Sequence, residues 1–123
     1  MRFNVNQATW IFEPKEYSIS DESIVIKTEP KTDFWQRTYY GFQNDNAPAL
    51  LINTNEQSFS FVVKTKFNSK QRFDQCGVII YQDSDNWFKA SIEYENENYF
   101  YLSYMQAIIR TPWPNACELS MSC

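Results

Sequence analysis

Histidine is absent from the 123 residues, and its absence removes most familiar catalytic apparatus. No Ser-His-Asp or Cys-His arrangement can exist. A general base would have to be a carboxylate, Lys, Tyr or Cys. Cysteine is scarce: Cys76, Cys117 and Cys123 make 3. An odd count without a secretory leader argues against a disulfide framework. The spacing matches no zinc pattern, so no metal and no cofactor is expected. Cys76, beside Gly77, reads as a small buried thiol. Glycine is scarcer still, at 2 residues, so Asn, Asp and Ser are expected to carry the turns. Asn44-Asp45-Asn46 and Asn53-Thr54-Asn55 fit that role. An excess of positive charge is also lacking. Lys and Arg number 11 against 15 Asp and Glu, a formal net charge of −4. Without a basic cluster, nucleic acid is excluded as an expected partner. No apolar run is long enough to span a bilayer. The N-terminus lacks the pattern of a secretory signal. A cytoplasmic location and no membrane contact are the expectation.

What the chain has in quantity is aromatic residues, 18%, within 43% hydrophobic residues. That supports a core for one domain over residues 1–123. Strand signals dominate. Ser23 to Lys27 is a short β-branched run, closed by Glu29-Pro30. Thr32 to Phe42 reads as one extended segment, with Asp33, Trp35, Arg37 and Tyr39 on one face. After a turn and Pro48 comes Ala49 to Ile52. Phe59, Phe61, Val63 and Phe67 alternate with Ser58, Ser60, Lys64 and Lys66, the clearest period-two stretch in the chain. Cys76 to Tyr81 is nearly continuous in apolar residues and suits a central strand. Asp83 to Asn86 reads as a hairpin loop. Trp87 to Tyr94 returns with Trp87, Lys89, Ser91 and Glu93 on one face and Phe88, Ala90, Ile92 and Tyr94 on the other. Tyr99 to Tyr104 starts a further strand. Roughly seven short strands separated by turns argue for an all-β sandwich or barrel.

Three separated motifs carry a resemblance. They are Thr32-Asp33-Phe34-Trp35, Phe73-Asp74-Gln75-Cys76-Gly77, and Trp87-Phe88-Lys89-Ala90-Ser91-Ile92-Glu93-Tyr94. In this order they resemble the DUF1349 family over about residues 6–103. The resemblance implies a concanavalin A-like antiparallel β-sandwich, a jelly roll. A yeast regulator of enolase is similar in kind. Beyond Ser103 the likeness ends. The run Met105 to Pro114 and the residues to Cys123 resemble nothing in the family. The expectation is a truncated or out-of-frame C-terminus from about residue 104 that leaves a sheet short of strands and exposes edges.

The candidate site is a polar, aromatic-lined sheet face. It comprises Asp33, Trp35, Arg37 and Tyr39, then Trp87, Lys89, Ser91 and Glu93, with Gln75 before the central strand. A sugar needs a flat apolar platform for its C–H face and planar polar groups for its hydroxyls. These residue types supply both, and Lys89 with Glu93 could form an internal charge pair. The plainer reading is a solvated sheet face for the charges, core packing for the tryptophans, and a turn role for Asp33. The leading function is a non-enzymatic domain binding a carbohydrate-like or other small polar ligand. The second is a protein-interaction or regulatory module with a protein partner. The third is a glycoside hydrolase pairing Glu93 with Glu95 or Glu97, weak because those glutamates sit at a hairpin end. Asp83, Asp85 and Asn86 are oxygen ligands in a loop, but the glycine and closing bidentate Glu of a calcium loop are missing.

Overall fold

A computed structural model describes residues 4–20, 22–37, 41–97, 99–106 and 117–122, with residues 99, 101–106 and 117–122 described by their backbone. The fold is all-β, and its strands pair antiparallel. Strands β1 (Thr9–Ile11), β6 (Ala49–Thr54), β7 (Gln75–Asp83), β8 (Asn86–Asn96), β9 (Tyr99–Gln106) and β10 (Cys117–Ser122) form one six-stranded sheet in the order β1-β6-β10-β7-β8-β9. Two small ribbons flank it: β2 (Glu16–Ile19) with β3 (Ile24–Lys27), and β4 (Phe34–Gln36) with β5 (Gln43–Asp45).

The large sheet is built on the β7–β8 hairpin, turned at Asp83-Ser84-Asp85-Asn86. Asp83 makes that turn itself: its Oδ1 accepts the Asp85 N–H at 2.8 Å and an Asn86 side-chain N–H at 2.8 Å. Those bonds to the ionised form hold the Asp83 carboxyl below its ordinary value. Across the sheet one row runs Leu51, Ser120, Ile79, Lys89, Met105 by strand register. On that face Ala49, Leu51, Ile79 and Trp87 pack with Phe34 and Ala47 as the core, all buried. Phe34 descends from the β4–β5 ribbon, so the ribbon lids this face of the sheet. Gly77 sits where β7 and β8 approach closely. A Cβ there would lie 2.1 Å from the Ala90 carbonyl oxygen.

Five features differ from the sequence reading. The segment 32–42 is not one strand. Arg37 takes a left-handed conformation, φ 51°, and its N–H bonds the Phe42 carbonyl at 2.8 Å, closing a hairpin after Gln36. Phe12, Lys31, Arg37 and Phe73 hold positive φ, as does Gly41. The Asp83–Asn86 turn uses Asp, Ser and Asn as expected, whereas Asn44, Asp45, Asn53 and Thr54, expected in turns, lie in strands β5 and β6. Residues 61–69 keep their alternation, half-buried at odd positions and exposed at even ones, yet belong to no strand. The tail is not an appendage. Strand β10 inserts between β6 and β7, pairing with both. Cys76 is buried, 5% exposed, as expected, but it is disulfide-bonded and not a free thiol.

Candidate functional site

Period two decides which side chains of β8 meet the lid. Trp87, Lys89 and Ser91 point inward and are buried. The polar-looking face of this strand is therefore the covered one, and the apolar-looking Phe88, Ala90 and Ile92 are the half-buried ones. Polarity inverts the usual arrangement because the lid brings its own acid. Asp33 stands one residue before β4, held by the base of the ribbon. Its N–H donates to Asn46 Oδ1 at 3.0 Å, and its carbonyl accepts the N–H groups of Asn46 and Ala47.

The Asp33 carboxylate meets three donors at one oxygen. Oδ1 accepts the Phe34 N–H at 2.7 Å, Gln75 Nε2 at 3.1 Å and Lys89 Nζ at 2.9 Å. Gln75 Oε1 in turn accepts Lys89 Nζ and Ser91 Oγ, each at 2.9 Å. The Lys89 side chain is 4% exposed and that of Asp33 26%. An ammonium so enclosed is tolerable where a counter-charge and further acceptors surround it. Both are present.

Glu93 lies two residues beyond Ser91 and opposite Gln75. It is half-buried, and no described residue donates a hydrogen bond to it. Burial pushes its carboxyl above the ordinary value. The charges of Asp33 and Glu95 push the same way, against Lys89 and Arg72. Glu95 faces a different fate. Arg72 grips it through two nitrogens, Nε to Oε2 at 2.8 Å and Nη2 to Oε1 at 2.7 Å. The two carboxylates thus differ sharply in environment despite their spacing.

Among the other residues read as a site, Trp87 is 1% exposed and stacks edge-on against Phe34, centroids 5.7 Å apart. It is a core residue and offers no platform to a ligand. Trp35 is half-buried and packs beside the core. The indole N–H of each is enclosed without an acceptor among the described residues. Arg37 is exposed and turns back to its own ribbon, donating to Gln43 Oε1 at 3.1 and 3.2 Å. Tyr39 lies outside the described residues. The structure therefore joins Asp33, Gln75 and Lys89 directly, sets Glu93 beside them, and leaves Arg37 and Trp87 apart. Ser91, read on the same face as Lys89, also joins the cluster. Asn46 was not read as a site residue and gave no sign beyond its turn-forming type. The expected Lys89–Glu93 charge pair is replaced by Lys89–Asp33. Among the described residues no cluster of metal-ligating side chains is found, and no helix is long and apolar enough to cross a membrane.

Comparison with known proteins follows the same lines. The protein is similar to the Saccharomyces cerevisiae protein "Regulation of enolase protein 1", 33% identical over 89 residues, which is 72% of this chain and 44% of that protein. The chain thus spans less than half the length of that relative. In fold it is similar to a functionally unknown Saccharomyces cerevisiae protein known from its crystal structure. The TM-score is 0.68 at 20% identity, covering 98% of this chain and 89% of that one. That likeness agrees with a β-sandwich. The family described as "Protein of unknown function (DUF1349)" matches residues 10–107. The matched residues include the Asp33–Gln75–Lys89 cluster, and the chain belongs to the DUF1349 family.

Proposed function

We propose that this protein is a non-enzymatic binding domain whose ligand is small, polar and rich in hydroxyls, in the manner of a carbohydrate. The observation that carries the reading is Glu93. It is a half-buried carboxylate with a raised pKa and no donor among the described residues, beside a cluster whose other members are paired. Desolvating a carboxylate without a hydrogen bond is unfavourable. A hydroxyl delivered by a ligand would relieve it. Asp33 supports the same reading, because its three bonds all fall on Oδ1 and its side chain is 26% exposed. Trp35, with its unpaired N–H, is the aromatic neighbour in this reading.

The test is a thermal melt of the intact chain against a panel of glycans and polyols. Native-state binding raises the melting temperature with ligand concentration. Glu93→Gln should abolish that rise while the variant still melts cooperatively. A glycan that stabilises Glu93→Gln as much as the parent would refute the assignment. Trp87→Ala is no such probe, because truncating this core residue costs about 3–5 kcal/mol of stability.

The second reading is a protein-interaction or regulatory module. Phe12, Phe42 and Phe73 support it, at 48%, 56% and 57% exposed, as does the regulatory name of the yeast relative. Large exposed aromatic side chains supply contact area to a protein partner. Hydrolysis has less support, since Glu95 is committed to Arg72. A cytoplasmic location belongs to the same set of proposals. The Cys76 disulfide bears against it, because disulfides are rare in reducing compartments.

A further inference from the structure

Strand β9 ends the six-stranded sheet, and among the described residues no strand pairs with its far side. Its sequence is Tyr-Phe-Tyr-Leu-Ser-Tyr-Met-Gln, residues Tyr99 to Gln106. The chain carries 26 charged residues, 11 basic and 15 acidic, yet none falls in these 8. Proline and glycine are absent from them as well. Edge strands are ordinarily protected by charge, proline, bulges or brevity. The opposite edge, β1, follows that rule with 3 residues. β9 lacks charge, proline and brevity, and the irregularity in its ladder lies at one end, on β8 between Tyr94 and Asn96. It has the composition of a strand from the interior of a sheet.

We propose that β9 is a self-pairing edge. Two copies of the chain join antiparallel along Tyr99–Gln106, so that two six-stranded sheets become one continuous sheet. The occupant is a second copy because antiparallel pairing of a strand with itself is two-fold symmetric. Every residue then appears on both sides of the seam. Any charge would be duplicated there, and like charges across strands are destabilising. An uncharged strand on a net acidic chain is the sequence that satisfies this condition. Aromatic and aliphatic cross-strand pairs also supply the contact energy of such a ladder.

The test is sedimentation equilibrium of the full chain over a wide concentration range, with amide hydrogen exchange on the same samples. The expected result is a species of twice the 14.7 kDa chain mass. The amides of residues 99–106 that face away from β8 should exchange more slowly as concentration rises. Phe100→Lys places a charge on the strand at a side chain that is 55% exposed. It should abolish the dimer at concentrations where the parent is dimeric. Val25→Lys, on β3 at a side chain 59% exposed, should not. If Phe100→Lys fails to fold, the concentration dependence of exchange in the parent decides. A monomer at every concentration overturns the proposal. So does a dimer whose protection appears at Thr9–Ile11 or elsewhere and leaves residues 99–106 unchanged.

Discussion

Removing the Asp33 carboxylate would leave the Lys89 ammonium at 4% exposure with Gln75 Oε1 as its remaining acceptor. Breaking a buried pair in this way costs about 3–5 kcal/mol, while replacing both partners by apolar groups is often neutral. Asp33→Ala should therefore lower the unfolding free energy by about that amount, and adding Lys89→Met should recover most of it. Denaturant titration of the two single variants and the double variant measures the coupling. Additive losses would mean the pair does not act as a unit. Glu93 gives the opposite sign. Its folded carboxyl titrates above its ordinary value because burial disfavours the charge. Between the unfolded and folded values the native chain keeps a proton that the unfolded chain has released, so stability falls as pH rises through that window. Glu93→Gln escapes this loss. It should melt above the parent at pH 7, with the difference closing below the ordinary Glu value of about 4.3. A variant that melts at or below the parent at neutral pH would show that Glu93 already has a stabilising partner. Much of this cluster was legible in sequence, because alternation put Lys89 and Glu93 on one face and the motifs named Asp33 and Gln75. What alternation could not say was which face the lid covers. That depends on Phe34 and Asp33 arriving from a ribbon distant in sequence.

At the level of elements, Gly77 tests how closely β7 and β8 approach. It is required by contact and not by a left-handed backbone, which the other glycine, Gly41, adopts at φ 68°. A methyl at position 77 would meet the Ala90 carbonyl oxygen at 2.1 Å and the Ser91 Cα at 2.5 Å. Both are backbone atoms in a paired strand and cannot rotate away. Overpacking of this kind costs about 1–3 kcal/mol, occasionally more. Gly77→Ala should fall at or beyond the upper end, because the Gly77–Ser91 pairing itself must open. Its denaturation midpoint is the measurement, and a loss under about 1 kcal/mol would mean the ladder shifts easily. The β7–β8 hairpin was readable because Cys76 to Tyr81 is apolar, Asp83 to Asn86 is turn-forming and Trp87 to Tyr94 alternates. The break at Arg37 was not. A bulky residue at positive φ costs about 1–2 kcal/mol locally and has no sequence signature. It is fixed by the bond from its N–H to Phe42 and by the Trp35–Asn44 pairing that follows from it.

At the scale of the whole molecule, the sheet depends on a strand that its sequence neighbours do not announce. Cys117 to Ser122 alternates apolar Cys117, Leu119 and Met121 with polar Glu118, Ser120 and Ser122, a strand pattern that does not name the ladder it joins. The slot it enters sets its pairing. On one side it meets Ala49 to Thr54 and on the other Gly77 to Tyr81. Without it β6 and β7 are not neighbours, and the row from Leu51 to Met105 is cut in two. Phe59 to Phe67 also alternates, over a longer stretch, yet joins no strand. Periodicity reports that one side of a segment is covered, whereas a ladder requires backbone partners on its flank. These two segments make a matched experiment. Proline removes a backbone donor and is not tolerated in a central strand. Ser120→Pro strikes β10 between Leu51 and Ile79, and should abolish the cooperative melt. Val62→Pro strikes an extended position 91% exposed, with no strand ladder to lose, and should shift the melt little. Circular dichroism melts of the two variants decide. If Ser120→Pro melts like the parent while Val62→Pro unfolds, the sheet is held together by residues 57–70, and β10 does not join β6 to β7 in solution.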